Sequence, residues 1–138
     1  MQGRKIGRAR TPRVQRPQSR EVVVAEANGE SRNAVCNVIE QLNCVAVPAA
    51  SASAVLKLIR RRHVDLVLLD LDFDLTQIGR TNTLHEIKHL VPMLPVVMMS
   101  DVMTPALARR LCDRGAQSFL VKPVGCDELS VTLFRYLL

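Results

Sequence analysis

The stretch Asp65-Leu66-Val67-Leu68-Leu69-Asp70 decides the fold. Four apolar residues in succession, with no polar residue alternating between them, suit a strand covered on both faces, and strands of that kind belong to parallel sheets. Three other runs have the same form. Val22-Val23-Val24-Ala25 ends at Glu26, Val96-Val97-Met98-Met99 ends at Ser100, and Phe119-Leu120-Val121 ends at Lys122. Ligands of an open parallel sheet sit in the crevice outside the carboxyl ends of its strands. Glu26, Asp70, Ser100 and Lys122 are therefore predicted to share one acidic pocket suited to handling phosphate.

Helical patterns separate these runs. Ser31 is the expected N-cap of a helix carrying Val35, Val38, Ile39 and Leu42 at helical spacing. A short second strand is predicted from Cys44 to Ala49. Ser51 or Ser53 then opens a helix with Val55, Leu56 and Ile59 inward and Arg60, Arg61 and Arg62 at its end, where cations suit the helix dipole. The third strand is expected over 65–71, followed by a loop through Gly79 and a helix from Thr81 to Leu90 stopped by Pro92 and Pro95. Thr104-Pro105 reads as an N-cap with proline at the first helical position, and Gly115 closes that helix. A last strand, Ser118 to Val121, leads to a helix capped by Asp127 that carries Leu129, Val131, Leu133, Phe134 and Leu137. Strict alternation of strand and helix predicts an α/β three-layer sandwich, (βα)5, with a five-stranded parallel sheet.

Composition bounds what such a pocket can belong to. The chain has 138 residues, 48% of them hydrophobic and only 3% aromatic, so one domain with an aliphatic core is expected. No apolar run approaches the ~18 residues that cross a bilayer, and the basic start has no signal-peptide pattern, so a cytoplasmic protein with no membrane partner is expected. The formal net charge of +6 is unevenly placed. Residues 1–20 carry seven basic residues and no acid, whereas residues 21–138 carry 12 basic and 13 acidic ones. The two domain assignments are accordingly a basic, disordered tail over 1–20 and a folded domain over 21–138. Nucleic acid is expected at most as a weak contact of that tail. Cys36, Cys44, Cys112 and Cys126 show no metal-finger or disulfide spacing and are read as mostly buried free thiols. His85 and His89, four apart, are read as surface histidines rather than metal ligands.

Val-Asp-Leu-Val-Leu-Leu-Asp at 64–70, Leu-Pro-Val-Val-Met-Met-Ser at 94–100 and Gly-Ala-Gln-Ser-Phe-Leu-Val-Lys-Pro-Val at 115–124, with the acid after the first strand, carry a family resemblance. Residues 21–138 resemble the receiver domain of two-component response regulators, which has the flavodoxin-like fold. Asn28-Gly29-Glu30-Ser31-Arg32 is similar to receivers attached to hybrid sensor kinases. The resemblance implies that Asp70 accepts a phosphoryl group from a histidine kinase or phosphotransfer protein, that Lys122 pairs with that carboxylate, and that Ser100 hydrogen-bonds the phosphoryl group. It also implies that Phe119 is a switch aromatic, that Pro123 follows a cis peptide bond, and that Mg²⁺ binds at Glu26 and Asp70. The implied output is a downstream protein bound through the fourth helix, fifth strand and fifth helix, by a monomer or weak dimer.

The chain departs from that pattern in ways that bear on the metal. The family usually presents two acids in succession after the first strand, and this chain has Glu26 followed by Ala27, whose methyl group holds no ion. Asp74 and Ile78 stand where the family usually has proline and glycine, and Gly79 arrives one residue late. Asp72, Asp74 and Asp101 add carboxylates near the same edge, with Asp72 a candidate third ligand. Two readings follow: a phosphorylation-controlled switch, or a degenerate pseudo-receiver that binds proteins without phosphorylation. No second catalytic group, cofactor loop or glycine-rich phosphate cradle is present in the sequence, so an independent enzyme is not expected.

Overall fold

The computed structural model of the chain describes residues 20–72 and 83–137. The basic segment up to residue 19, Asp74, Ile78, Gly79 and the start expected at Thr81 lie outside them. Five parallel strands form one sheet in the order β2-β1-β3-β4-β5: β1 Glu21–Ala25, β2 Val45–Ala49, β3 Leu66–Asp70, β4 Val96–Ser100 and β5 Ser118–Val121. Helices α1 (Gly29–Gln41), α2 (Ala52–Arg61), α3 (Thr83–Leu90), α4 (Pro105–Asp113) and α5 (Cys126–Leu137) connect and follow them.

Strand alternation divides the core into two layers. Val22, Val24, Leu66, Leu68, Val97 and Met99 face α1 and α5, while Val23, Ala25, Val67, Leu69, Val96 and Met98 face α2, α3 and α4. Every residue of β3 and β4 is buried, as the uninterrupted runs required. Full burial of one such side chain is worth about 1.5–3 kcal/mol, so the central strands dominate the stability. Because the chain leaves β1 toward β2 on one side and leaves β3 toward β4 on the other, the two connections run in opposite directions. That reversal opens a crevice at the carboxyl ends of β1 and β3.

Several local expectations change. Asn28, not Ser31, caps α1: its Oδ1 accepts the Ser31 backbone N–H at 2.8 Å, which starts the helix earlier. Strand β2 starts at Val45, and Cys44 lies in the turn after α1, its N–H bonded to Ile39 O, with Asn43 at φ 65 redirecting the chain. Between the two candidates for α2, Ser51 is the cap. Thr104 caps α4 with Pro105 in its first turn, and Gly115 follows that helix at φ 108, where an L side chain is strained. Helix α5 begins at Cys126, with Leu129 N–H bonded to Gly125 O. Asp127 therefore lies in the first turn rather than at the cap.

Burial also corrects two expectations. On α5 the buried positions are Leu129, Thr132, Leu133 and Leu137, whereas Val131 and Phe134 are 60% and 69% exposed. Three- and four-residue spacing places Val131 and Phe134 on a face that the sheet does not reach. Cys112 and Cys126 are exposed and only Cys36 and Cys44 are half-buried, because the first two stand on outward helix positions. His85 and His89 are exposed and stack with ring centroids 6.5 Å apart.

Candidate functional site

Glu26 directly follows β1, Asp70 ends β3 and Lys122 directly follows β5. The sheet brings these three side chains together. Lys122 Nζ lies 2.6 Å from Glu26 Oε1 and 3.0 Å from Asp70 Oδ2, and both carboxylates are 2% exposed. The cis peptide bond at Lys122-Pro123 turns the chain immediately beyond the lysine. A buried ion cluster is tolerated only if its remaining lone pairs find donors. Asp70 Oδ1 accepts the Asp72 N–H at 3.1 Å, and Glu26 Oε2 accepts the Asn28 N–H at 3.1 Å. Glu26 Oε1 is the exception: the ammonium is close, but no donor is aligned on it.

This arrangement shifts two titrations. Burial, together with the neighbouring Asp70 carboxylate, pushes Glu26 above the ordinary carboxylic range, against the pull of Lys122 and the Asn28 N–H. Burial by itself would lower Lys122, but its bonds to Glu26 and Asp70 outweigh that and hold the ammonium above its usual value. The lysine is thus charged throughout the physiological range.

Ser100 ends β4 next to the cluster, its carbonyl accepting the Lys122 N–H at 2.9 Å. Its hydroxyl points elsewhere. Oγ donates to Val102 O at 2.8 Å and accepts the Val102 N–H at 3.2 Å, so it closes a local turn. Phe119 is half-buried against the core layer of α2, α3 and α4. Asp72 and Asp101 are exposed.

Two residues of the site went unassigned in the sequence. Arg32, one turn into α1, folds back so that Nη1 donates to Glu26 O at 2.8 Å and Ala27 O at 3.3 Å. Asn28 both caps α1 and donates its N–H to the Glu26 carboxylate. Their signal was the Asn-x-x-Ser-Arg spacing, which places a cap and a cation on the first turn directly after the acid. Glu26 and Asp70 offer the hard oxygens that Mg²⁺ takes, one or two carboxylates with water completing the shell. Glu26 Oε1, without an aligned donor, fits such a role. Among the described residues no group of three or more His, Cys, Asp or Glu side chains suits a metal ion.

The profile of the response regulator receiver domain family matches residues 22–134. The transcriptional regulatory protein ZraR of Escherichia coli O157:H7 is 35% identical over 89 residues, 64% of this chain and 20% of that protein. An NtrX-like response regulator of Rickettsia bellii is 24% identical over 115 residues, 83% of this chain and 24% of that protein. The chain therefore spans between a fifth and a quarter of the length of these two curated relatives. The crystal structure of the receiver domain of NtrX from Brucella abortus superposes with a TM-score of 0.73 at 31% identity, covering 85% of this chain and 97% of that one. The carboxylate and lysine at the strand ends thus sit in a receiver fold, and the chain belongs to the response regulator receiver domain family of two-component signalling, whose general function is phosphorylation on an aspartate.

Proposed function

We propose that Asp70 is the aspartate phosphorylated in this receiver. The observation that carries this reading is Lys122 Nζ at 3.0 Å from a 2%-exposed Asp70 carboxylate, at the crevice where the strand connections reverse. An Asp70 carboxylate oxygen bonds to phosphorus as the bond from phosphorus to the donor's imidazole nitrogen breaks. That nitrogen keeps the electron pair, and the product is an acyl phosphate. Phosphoryl transfer needs positioning and charge compensation more than covalent chemistry, and Lys122 supplies a fixed positive charge for the incoming oxygens. Glu26 and Asp70 would hold Mg²⁺, with Asp72 the next carboxylate along the chain, and the ion supplies additional charge compensation when bound.

Receiver domains interact with histidine kinases and with downstream effector domains. In this chain a histidine kinase or phosphotransfer protein is the donor, and the output surface is formed by α4, β5 and α5. To reach a phosphoryl group, Ser100 Oγ must give up its bond to Val102 O, and Phe119 repacks with it; this is a shift between two populations rather than a new fold. The protein works in the cytoplasm as a switch and not as an independent enzyme.

Incubation with Mg²⁺ and acetyl phosphate should add one phosphoryl mass, and Asp70→Ala should abolish it. A second reading, a pseudo-receiver that binds proteins without phosphorylation, is favoured by Ala27 and by the lack of a three-ligand group among the described residues. No mass increment from either acetyl phosphate or a cognate kinase, on folded protein, would decide for that reading.

A further inference from the structure

Helix α3 carries the sequence His85-Glu86-Ile87-Lys88-His89, and the site at Asp70 uses none of it. Residues four apart stand one above the other on a helix. With glutamate after the first histidine, this is the pattern by which helices present two imidazoles to a zinc ion. Thr83, Leu84 and Ile87 anchor α3 in the core, and both histidines are exposed. Their rings lie nearly parallel, 11° apart in plane, with centroids separated by 6.5 Å.

That separation is close to what a shared ion needs. Zinc holds each imidazole nitrogen at ~2.0–2.1 Å, which places two ligating rings roughly 5–6 Å apart between centroids. From 6.5 Å, a small rotation of two exposed side chains closes the pair on an ion without moving the backbone. The turn that carries His89 is itself held, with the Val91 N–H donating to Ile87 O at 2.8 Å. Lys88 stands between Glu86 and His89 in sequence, but its charge is drawn off: Nζ donates to Leu94 O at 2.8 Å, and its methylenes lie against Gly115. Imidazole nitrogens suit zinc, nickel and copper, whereas Mg²⁺ takes oxygen ligands. Among the described residues no third His, Cys, Asp or Glu completes a metal-binding group, so water fills the remaining positions. The result is an open two-histidine site rather than the closed four-ligand site of a structural zinc.

We propose that His85 and His89 form a binding site for a divalent transition-metal ion such as Zn²⁺, held by two imidazole nitrogens with water in the other positions. The ion bridges consecutive turns of α3 and, by binding only where the helix is formed, stabilises the folded chain. The site shares no residue with Glu26, Asp70 or Lys122 and is independent of the phosphorylation reading.

Calorimetric titration of zinc chloride into the whole chain tests this. The background carries Cys112→Ser and Cys126→Ser, because exposed thiols also bind zinc, and millimolar Mg²⁺ is present to occupy carboxylate ligands. Saturable binding of one zinc per chain is expected, with the ring signals of His85 and His89 perturbed in NMR spectra and a higher unfolding temperature. His85→Ala and His89→Ala should each weaken binding by at least about tenfold, since one imidazole without the other forfeits the effective concentration of a linked ligand. The double variant should bind scarcely more weakly than either single one. Both positions are exposed, and circular dichroism checks that each variant is folded. Ligands elsewhere in the chain are the same in all of these proteins, so their contribution is a constant background. The proposal is overturned by lack of saturable binding, by affinity that survives either histidine replacement, or by perturbation centred on the His63–Asp65 pair or on Glu26 and Asp70. Zinc binding that is present in the unsubstituted chain and lost in the serine background would overturn it in favour of thiol ligation.

Discussion

The Lys122 ammonium lies closer to Glu26, at 2.6 Å, than to Asp70, at 3.0 Å. The two carboxylates come from residues 44 positions apart in the chain and are equally buried, so one cation offsets two anions in a setting with little water. This geometry defines the unphosphorylated state of the site. It makes the lysine a structural group as well as a chemical one.

Removing that cation should therefore cost stability. Lys122→Met leaves two buried carboxylates facing each other without a counter-ion, and a loss of about 3 kcal/mol is expected at neutral pH. The loss should shrink as acid protonates the pair. Urea unfolding of both proteins at neutral and mildly acidic pH measures this, and an equal loss at both would show that charge is not the cause.

Glu26 should contribute a pH dependence of definite sign. Its folded-state value is raised above the ordinary 4.5 by burial first and by Asp70 second. Between 4.5 and the raised value the folded protein binds more protons than the unfolded chain, so this group makes stability fall as pH rises through that window. Lys122 acts at the other limit: its value is raised above 10.5, so its contribution is intact below 10.5 and lost as pH climbs through the folded value. Glu26→Gln should flatten the acid-side dependence when unfolding is followed from about pH 4 to about pH 8.

Ala27→Asp should strengthen Mg²⁺ binding. Ala27 is exposed beside Glu26, and only its backbone carbonyl is engaged, by Arg32, so a carboxylate fits there without displacing a packed side chain. A gain of about tenfold in affinity by isothermal titration is expected, ~1.4 kcal/mol. An unchanged titration would mean that Asp72 or Asp101 already serves as the additional carboxylate.

Arg32→Ala should loosen the turn that carries Glu26. Two carbonyls lose a charged donor at 2.8 and 3.3 Å, for an expected cost of about 1–2 kcal/mol. Arg32→Lys should recover part of it. Asn28→Ala removes the α1 cap as well, at about 1 kcal/mol. Thermal unfolding of the three variants ranks them, and a neutral Arg32→Ala would remove the bracing role.

Much of the fold was legible because its signals are local. The uninterrupted runs at 22–25, 66–69 and 96–99 became fully buried strands, and Thr104-Pro105 capped its helix as its sequence required. Errors arose where several local signals competed. Ser31 and Asn28 are both good caps, and the choice fell to the residue whose side chain reaches the third N–H of the turn. Val131 and Phe134 have core chemistry, but they stand on the face of α5 away from its buried Leu129, Leu133 and Leu137. The grouping of Glu26, Asp70 and Lys122 followed from strand ends and parallel topology, whereas the engagement of Ser100 with Val102 has no counterpart in residue type or spacing.

The amino-acid sequence by itself determined a parallel α/β domain with an acid, an aspartate, a hydroxyl and a lysine at the carboxyl edge of its sheet. Apolar continuity, helix caps and turn residues are properties of neighbours along the chain, and they suffice for that. Only the tertiary structure decided that Lys122 bridges both carboxylates, that Arg32 braces the turn beside Ala27, and that the Ser100 hydroxyl is engaged with Val102. Those relationships depend on distances of a few ångströms, which are set when the strands align and the helices pack against them.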